Sequence, residues 1–402
     1  MDCVGIVVPR FGNEAIGGTE TLAKHLANLL AQSFEVHIIT TTIRSFGNDE
    51  RYYKPGETQI APNIKVLRFE PDHPQWYYAG SNPWEYYDIP IPDIKPGQMT
   101  EESINALRAV PVQVCERFIS DHGPYSTRLQ EYLIERHKQY KKVFFSPYLH
   151  ATTYYGVDCV SQDQALILIA GHNEPYLFMP AYRKLVNYEQ LIYTEAETDL
   201  LANARVQSLA RMSFVLPPIP FQAPEGASID YDPKTIVFSG RASYGKGFDT
   251  LAAAILSIRE KGDLYNLKVL GEVDASASAV VETNKDWIKV TGPLDPGQRR
   301  AEMSKALCLV NPSLLDSFGL VNIECYEAGI PAILNENLPA FEELANHFDM
   351  LTYRDPEHLA TVLEQLQRKD FRSEVVAMAV ESMRNEFSND NLLKMYKRII
   401  EQ

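Results

Sequence analysis

The stretch Asn311-Pro-Ser-Leu-Leu-Asp316-Ser317-Phe318-Gly319-Leu320-Val321-Asn322-Ile323-Glu324, continuing Cys-Tyr-Glu-Ala328-Gly329-Ile-Pro331, decides how the chain is read. The apolar run 307–310 before it predicts a buried strand, and the residues after Gly319 predict a helix. The quoted block is therefore a strand-to-helix turn, with Asp316 in the loop and Glu324, eight positions on, about a turn inside the helix. Backbone N–H groups at such a helix start can hold a diphosphate or sugar hydroxyls, which makes Ser317, Phe318, Gly319, Leu320 and Val321 candidates for binding. A carboxylate further in can accept two hydrogen bonds from a ribose diol.

Upstream, a second strand over 236–238 runs into Ser239-Gly240-Arg241-Ala-Ser-Tyr-Gly245-Lys246-Gly247. By itself, an arginine and a lysine in a glycine-rich loop would be solvated surface charges. Taken with the acid pair, the two blocks resemble the Gly-Arg…Lys-Gly element and the Glu-x7-Glu signature of retaining glycosyltransferases of the GT-B fold. The similarity is to family four, glycosyl transferases group 1, with Asp316 in place of the first Glu.

That resemblance implies an α/β protein of two Rossmann-like domains whose parallel sheets face an interdomain cleft. It assigns Arg241 and Lys246 to the donor's diphosphate, whose departure builds negative charge in the transition state. Glu324 would hold the ribose, and Asp316 with the Phe318 to Val321 amides would position the sugar. Gly240, Gly271, Thr291 and Leu294 fall where the family approaches the nucleotide. In the N-terminal half, Gly17 and Gly18 match its glycine-rich first loop, in which missing side chains admit phosphates or acceptor. His172, in Ala170-Gly171-His172-Asn173-Glu174-Pro175, matches the histidine set against the donor sugar. His150 lines the acceptor side or is an ordinary loop histidine. The implied reaction transfers a hexose with retention from a nucleotide sugar, UDP-glucose before GDP-mannose, with no metal or other cofactor. The shorter Asp316 makes its contact with the transferred sugar weaker or water-mediated.

The rest of the chain is organised consistently. Pro217, Pro218, Pro220 and Pro224, followed by Gly226, can sustain neither a helix nor a central strand and read as a linker. They divide an N-terminal acceptor-side domain, 1–220, from a nucleotide-sugar domain, 221–385. A terminal helix over 386–402, with Leu392, Leu393, Tyr396 and Ile399 at helical spacing, is expected to cross back to the first domain. Each half opens with an apolar strand, a glycine-bearing loop and an amphipathic helix, the start of a βαβ unit. In the first, Leu22, Ala23, Leu26, Leu29 and Leu30 mark the buried stripe; in the second, Phe248, Leu251, Ile255 and Ile258 do. Other strands are expected at 4–8, 35–40, 143–146, 166–170, 267–270 and 332–334, apolar enough to be buried on both faces.

Composition sets the outer bounds. The 402 residues carry a formal charge of −15, which disfavours nucleic acid and anionic lipid as main partners. The five cysteines are scattered without a Cys-x-x-Cys pair, suggesting a reduced cytoplasmic setting, with peripheral contact at the inner face of the plasma membrane left open. No stretch approaches a membrane span or a signal peptide. Asp230-Tyr231-Asp232 has the metal-binding Asp-x-Asp spacing but stands beside the linker, and no metal is inferred. The basic run Arg136, His137, Lys138, Lys141, Lys142 follows Glu131 and Glu135 at helical spacing and reads as a solvated helix face. Residues 71–97 hold six prolines and six Trp or Tyr residues, including Trp76 and Trp84. They form an insertion that either offers aromatic faces to an acceptor or packs on the domain beneath. The acceptor itself, whether glycan, lipid-linked or small molecule, is not specified, although a role in cell-envelope or exopolysaccharide synthesis fits. Two alternatives share the constellation: an enzyme like UDP-N-acetylglucosamine 2-epimerase, and a non-catalytic sugar-nucleotide-binding protein. A nicotinamide dehydrogenase is disfavoured because the first loop lacks Gly-x-Gly-x-x-Gly.

Overall fold

The computed structural model describes residues 1–15, 17–45, 52–73, 99–170, 175–204 and 211–402. They form two compact units, Met1–Pro220 with Asn389–Gln402, and Phe221–Ser388.

In the first unit, eight strands make one sheet: β1 (Cys3–Val7), β2 (Glu35–Thr41), β3 (Gly56–Ala61), β4 (Ile64–Phe69), β5 (Tyr140–Phe145), β6 (Ala165–Leu168), β7 (Glu189–Ile192) and β8 (Met212–Phe214). Their order is β3-β4-β2-β1-β5-β6-β7-β8, and every pairing is parallel except β3 with β4. Strands covered on both faces must be apolar on both, and all four residues of β6 are buried, as are Val143, Phe144 and Phe145 of β5. The helix Gly18–Leu30 buries the stripe read from the sequence, Leu22, Ala23, Leu26, Leu29 and Leu30. The last helix, Asn389–Glu401, belongs to this unit: Leu392, Tyr396, Ile399 and Ile400 are buried, and the Tyr396 hydroxyl donates to the Leu216 carbonyl at 2.9 Å.

In the second unit, β9 (Asp232–Ser239), β10 (Asn266–Leu270), β11 (Ile288–Val290), β12 (Ala306–Asn311), β13 (Ala332–Asn335) and β14 (Leu351–Tyr353) form a wholly parallel sheet ordered β11-β10-β9-β12-β13-β14. All six residues of β12 are buried, and the helix Phe248–Glu260 lays Phe248, Leu251, Ile255 and Ile258 onto the sheet.

Each sheet reverses its direction of growth beside its first strand. From β1 the chain builds outward through β2, then returns to the other side with β5; from β9 it builds through β10 and β11, then returns with β12. The loops that leave β1 and β5, or β9 and β12, lie at the carboxyl ends of neighbouring strands at such a switch point, the place where open α/β sheets bind ligands.

Two local expectations are corrected. The basic run is not one helix face: the helix Thr127–Arg136 ends first, His137–Gln139 form a 3-10 turn, and Lys141 and Lys142 lie on β5. Lys142 is buried and donates to the Asp163 carbonyl at 2.7 Å. Asp232 is no longer linker but opens β9, where its carboxylate accepts from the Lys234 N–H and the Thr235 hydroxyl. The insertion at 71–97, with Trp76 and Trp84, lies almost wholly outside the described residues. Among the described residues, no helix is long and apolar enough to cross a membrane, and all five cysteines are free.

Candidate functional site

The switch point of the second unit gathers both charged sequence blocks. The loop after β9 carries Gly240, Arg241 and Lys246; the loop after the neighbouring β12 carries Asp316 to Gly319. They are joined directly. Lys246 Nζ donates to Asp316 Oδ2 at 3.0 Å and to the Leu315 carbonyl at 3.0 Å, while Asp316 Oδ1 accepts the Gly319 N–H at 3.1 Å. Gly247 makes the close approach possible. It sits at φ 66°, and a Cβ there would fall 2.3 Å from the Pro312 carbonyl oxygen.

Gly319, at φ 68°, introduces the helix Leu320–Glu327. Leu320 and Val321 occupy the first two helical positions, whose N–H groups have no partner within a helix. This amino end adjoins the Asp316 carboxylate, itself bound to Lys246. A buried amide network fixes the loop. Asn311 Nδ2 donates to Asn322 Oδ1 at 2.8 Å, the Ser313 N–H donates to Asn311 Oδ1 at 3.2 Å, and Asn335 Nδ2 donates to the Pro312 carbonyl at 3.3 Å. Ser317 and Phe318 are buried, so their side chains anchor the loop.

Glu324 lies one turn into this helix, about a quarter exposed, and accepts a hydrogen bond from Arg299 Nη2 at 2.9 Å. Burial pushes its carboxyl upward, against the opposing pull of Arg299 and Arg300. Arg299 comes from the helix Pro296–Met303, whose first turn is held by a reciprocal cap between Asp295 and Gln298. The sequence reading missed this arginine. Its partner stands 25 positions away, and only packing of one helix on another reveals the pair.

Arg241 is exposed and makes no hydrogen bond or ion pair among the described residues. Its charge acts on Asp274, whose carboxyl is held below its ordinary value chiefly by hydrogen bonds from Ser276. Gly240 and Gly271 bring the loops after β9 and β10 together: a Cβ on Gly271, at φ 153°, would lie 2.1 Å from the Gly240 carbonyl oxygen. Thr291 and Leu294 follow the edge strand β11, and the Thr291 hydroxyl lies within hydrogen-bond reach of the Val269 and Gly292 carbonyls.

The first unit's switch point holds Gly17, Gly18 and His150. Gly17 leaves room for an internal ion pair: a Cβ there would lie 2.2 Å from Glu20 Oε2, and buried Glu20 pairs with Arg10 just beyond β1. Gly18 faces open space. His150, after β5, precedes the short helix Ala151–Tyr154 and stands on the opposite side of the same switch point. His172 lies outside the described residues.

Known proteins share this architecture. The sucrose-phosphate synthase of Thermosynechococcus elongatus matches with TM-score 0.67 at 15% identity, covering 100% of this chain and 99% of that one. The E. coli trehalose-6-phosphate structure bound with UDP-2-fluoro glucose matches with TM-score 0.69 at 13% identity, covering 100% and 99%. S. aureus TarM, in complex with fondaparinux, alpha-GlcNAc-glycerol and UDP, matches with TM-score 0.66 at 10% identity, covering 100% of both chains. No curated protein matches the sequence. The fold is therefore GT-B. Residues 222–381, nearly all of the second unit, match the family model of glycosyl transferases group 1, and the sequence resemblance to GT-B glycosyltransferases of that kind stands.

Proposed function

We propose that the protein is a retaining hexosyltransferase that takes a hexose from a nucleotide sugar, UDP-glucose first, and joins it to an acceptor hydroxyl without a divalent metal. The observation that carries this reading is the joining of Lys246, Asp316 and the amino end of Leu320–Glu327 at the β9/β12 switch point. A leaving diphosphate needs fixed positive charge that does not reorganise during reaction. Lys246, held by Asp316 and a carbonyl, supplies such a charge, and exposed Arg241 supplies a second at the rim. Glu324, oriented by Arg299, offers a carboxylate to the ribose, and Asp316 with the helix amides orients the sugar. His172 is assigned to shielding or polarising the reacting carbon. Support for a UDP-sugar donor comes from the neighbours bound with UDP-2-fluoro glucose and with UDP. Sucrose-phosphate, trehalose-6-phosphate and GlcNAc-glycerol among those neighbours support a sugar or polyol acceptor, and a role in exopolysaccharide or cell-envelope synthesis at the cytoplasmic side is part of the same proposal.

The test is transfer from UDP-glucose to a panel of sugar and polyol acceptors in the presence of a chelator, with the product's anomeric configuration read by NMR. Retained configuration and full activity in chelator are expected. Arg241→Ala should lower kcat by roughly two orders of magnitude, about 3 kcal/mol, the worth of one well-placed donor to a transition-state oxyanion. Unchanged turnover in that variant would sink the assignment.

A further inference from the structure

At the opposite, amino-terminal edge of the first sheet stands a cluster that glycosyl transfer does not use. Cys3 begins β1 and Glu35 begins β2, and the two are paired in register; Gly5 is paired with His37. Side chains two apart on a strand share a face, so Cys3, Glu35 and His37 project together, while Gly5 adds no side chain between them. One donor atom from each lies within 4.8 Å of the others, with His37 Nε2 at 3.0 Å from Glu35 Oε1. We infer that Cys3 Sγ, Glu35 Oε1 and His37 Nε2 form a binding site for a single divalent transition-metal cation of the zinc type.

The donor set suits it. Thiolate, imidazole and carboxylate are the usual zinc ligands, and three of them leave a fourth position for water. The second shell is built as well. His37 Nδ1 lies 2.9 Å from the Tyr140 hydroxyl, which lies 2.7 Å from the Tyr132 hydroxyl, and that oxygen accepts from Gln139 at 3.1 Å. Such a chain lets Nδ1–H donate outward and leaves Nε2 as the ligating nitrogen. His37 is buried and Cys3 half-buried, whereas Glu35 is exposed and gives the ion an entry path. Burial, then the charge of Glu35, push the Cys3 thiol up to about 12. A bound cation supplies the charge that makes it a thiolate. The nearby cations are Lys65, which also pairs with Glu57 at 3.6 Å, and the chain's amino terminus. The ion lies at the far end of the strands from the loops of the switch point. It would tie β1 to β2 and take no part in transfer, so this inference stands independently of the proposed activity.

The experiment titrates the full-length, chelator-stripped protein with Zn2+ by calorimetry and with Co2+ by absorption. One ion per chain, a tetrahedral Co2+ spectrum and a near-ultraviolet thiolate charge-transfer band are expected. Cys3→Ser, at a half-exposed position, should keep its circular dichroism and lose the charge-transfer band. Tyr140→Phe should weaken Zn2+ binding 10–100-fold, the effect of losing an outer-shell partner. No stoichiometric binding, or Cys3→Ser binding with unchanged affinity and spectrum, would overturn the site.

Discussion

At the scale of single residues, the candidate site depends on pairings that balance two charges each. Glu324 is the clearest case, because burial disfavours its charged form and raises its carboxyl. Its contribution to stability is fully present below the unfolded value of about 4.3 and is lost as pH rises through the higher folded value. Glu324→Gln should therefore leave stability unchanged near pH 4 and raise it by about 0.5–2 kcal/mol at pH 7, the usual gain when a site optimised for function is relaxed. Denaturant melts at the two pH values check this, and a variant less stable at pH 7 would contradict it. The same variant should bind nucleotide more weakly. Residue types at this site were legible in the sequence, since Arg241, Lys246 and Asp316 sit in strand-to-helix loops marked by glycine and Glu324 stands in the helix that follows one of them. Their partners were not. Arg299, the Asn311–Asn322 amide pair and the Arg10–Glu20 pair are chosen by tertiary packing, which leaves no periodic trace along the chain.

Elements explain why those side chains meet. The loops after β9 and β12 come together because the strands are neighbours and because Gly247 lets one backbone touch the other. Gly247→Ala combines a left-handed φ of 66° with an intended Cβ 2.3 Å from the Pro312 carbonyl oxygen. It should lower stability by more than about 1 kcal/mol and separate Lys246 from Asp316. Thermal melts with parallel nucleotide titrations measure both effects, and a variant with wild-type stability and affinity would contradict the close approach. Most buried parallel strands were legible from their apolar runs, though not β7 with its polar Glu189 and Gln190, and the helix stripes from their spacing. The hairpin β3–β4 was not, because β3 is a polar edge strand whose first five residues are exposed and therefore carries no alternation. The short strands β8 and β14 escaped for a related reason: three residues are too few to show a period.

At the scale of the whole molecule, a chain of net charge −15 carries Arg241, Lys246 and Arg299 in its second unit, the last two paired with Asp316 and Glu324. The proposed diphosphate would meet those charges locally, although the net charge of the chain repels anions. Two units with separate cores need not unfold as one. Scanning calorimetry with UDP at 100 times its Kd should move the transition belonging to Phe221–Ser388 by about 2.7 kcal/mol. A shift confined to the other transition would place the nucleotide in the first unit instead. The most direct measurement of the central claim is a calorimetric titration of the purified protein with UDP, GDP and ADP, repeated on Lys246→Ala. The account predicts saturable one-site binding of a nucleoside diphosphate, UDP most tightly, weakened by about tenfold or more when the lysine's charged hydrogen bond is removed. Binding of none of the three, or equal affinity in the variant, would contradict it.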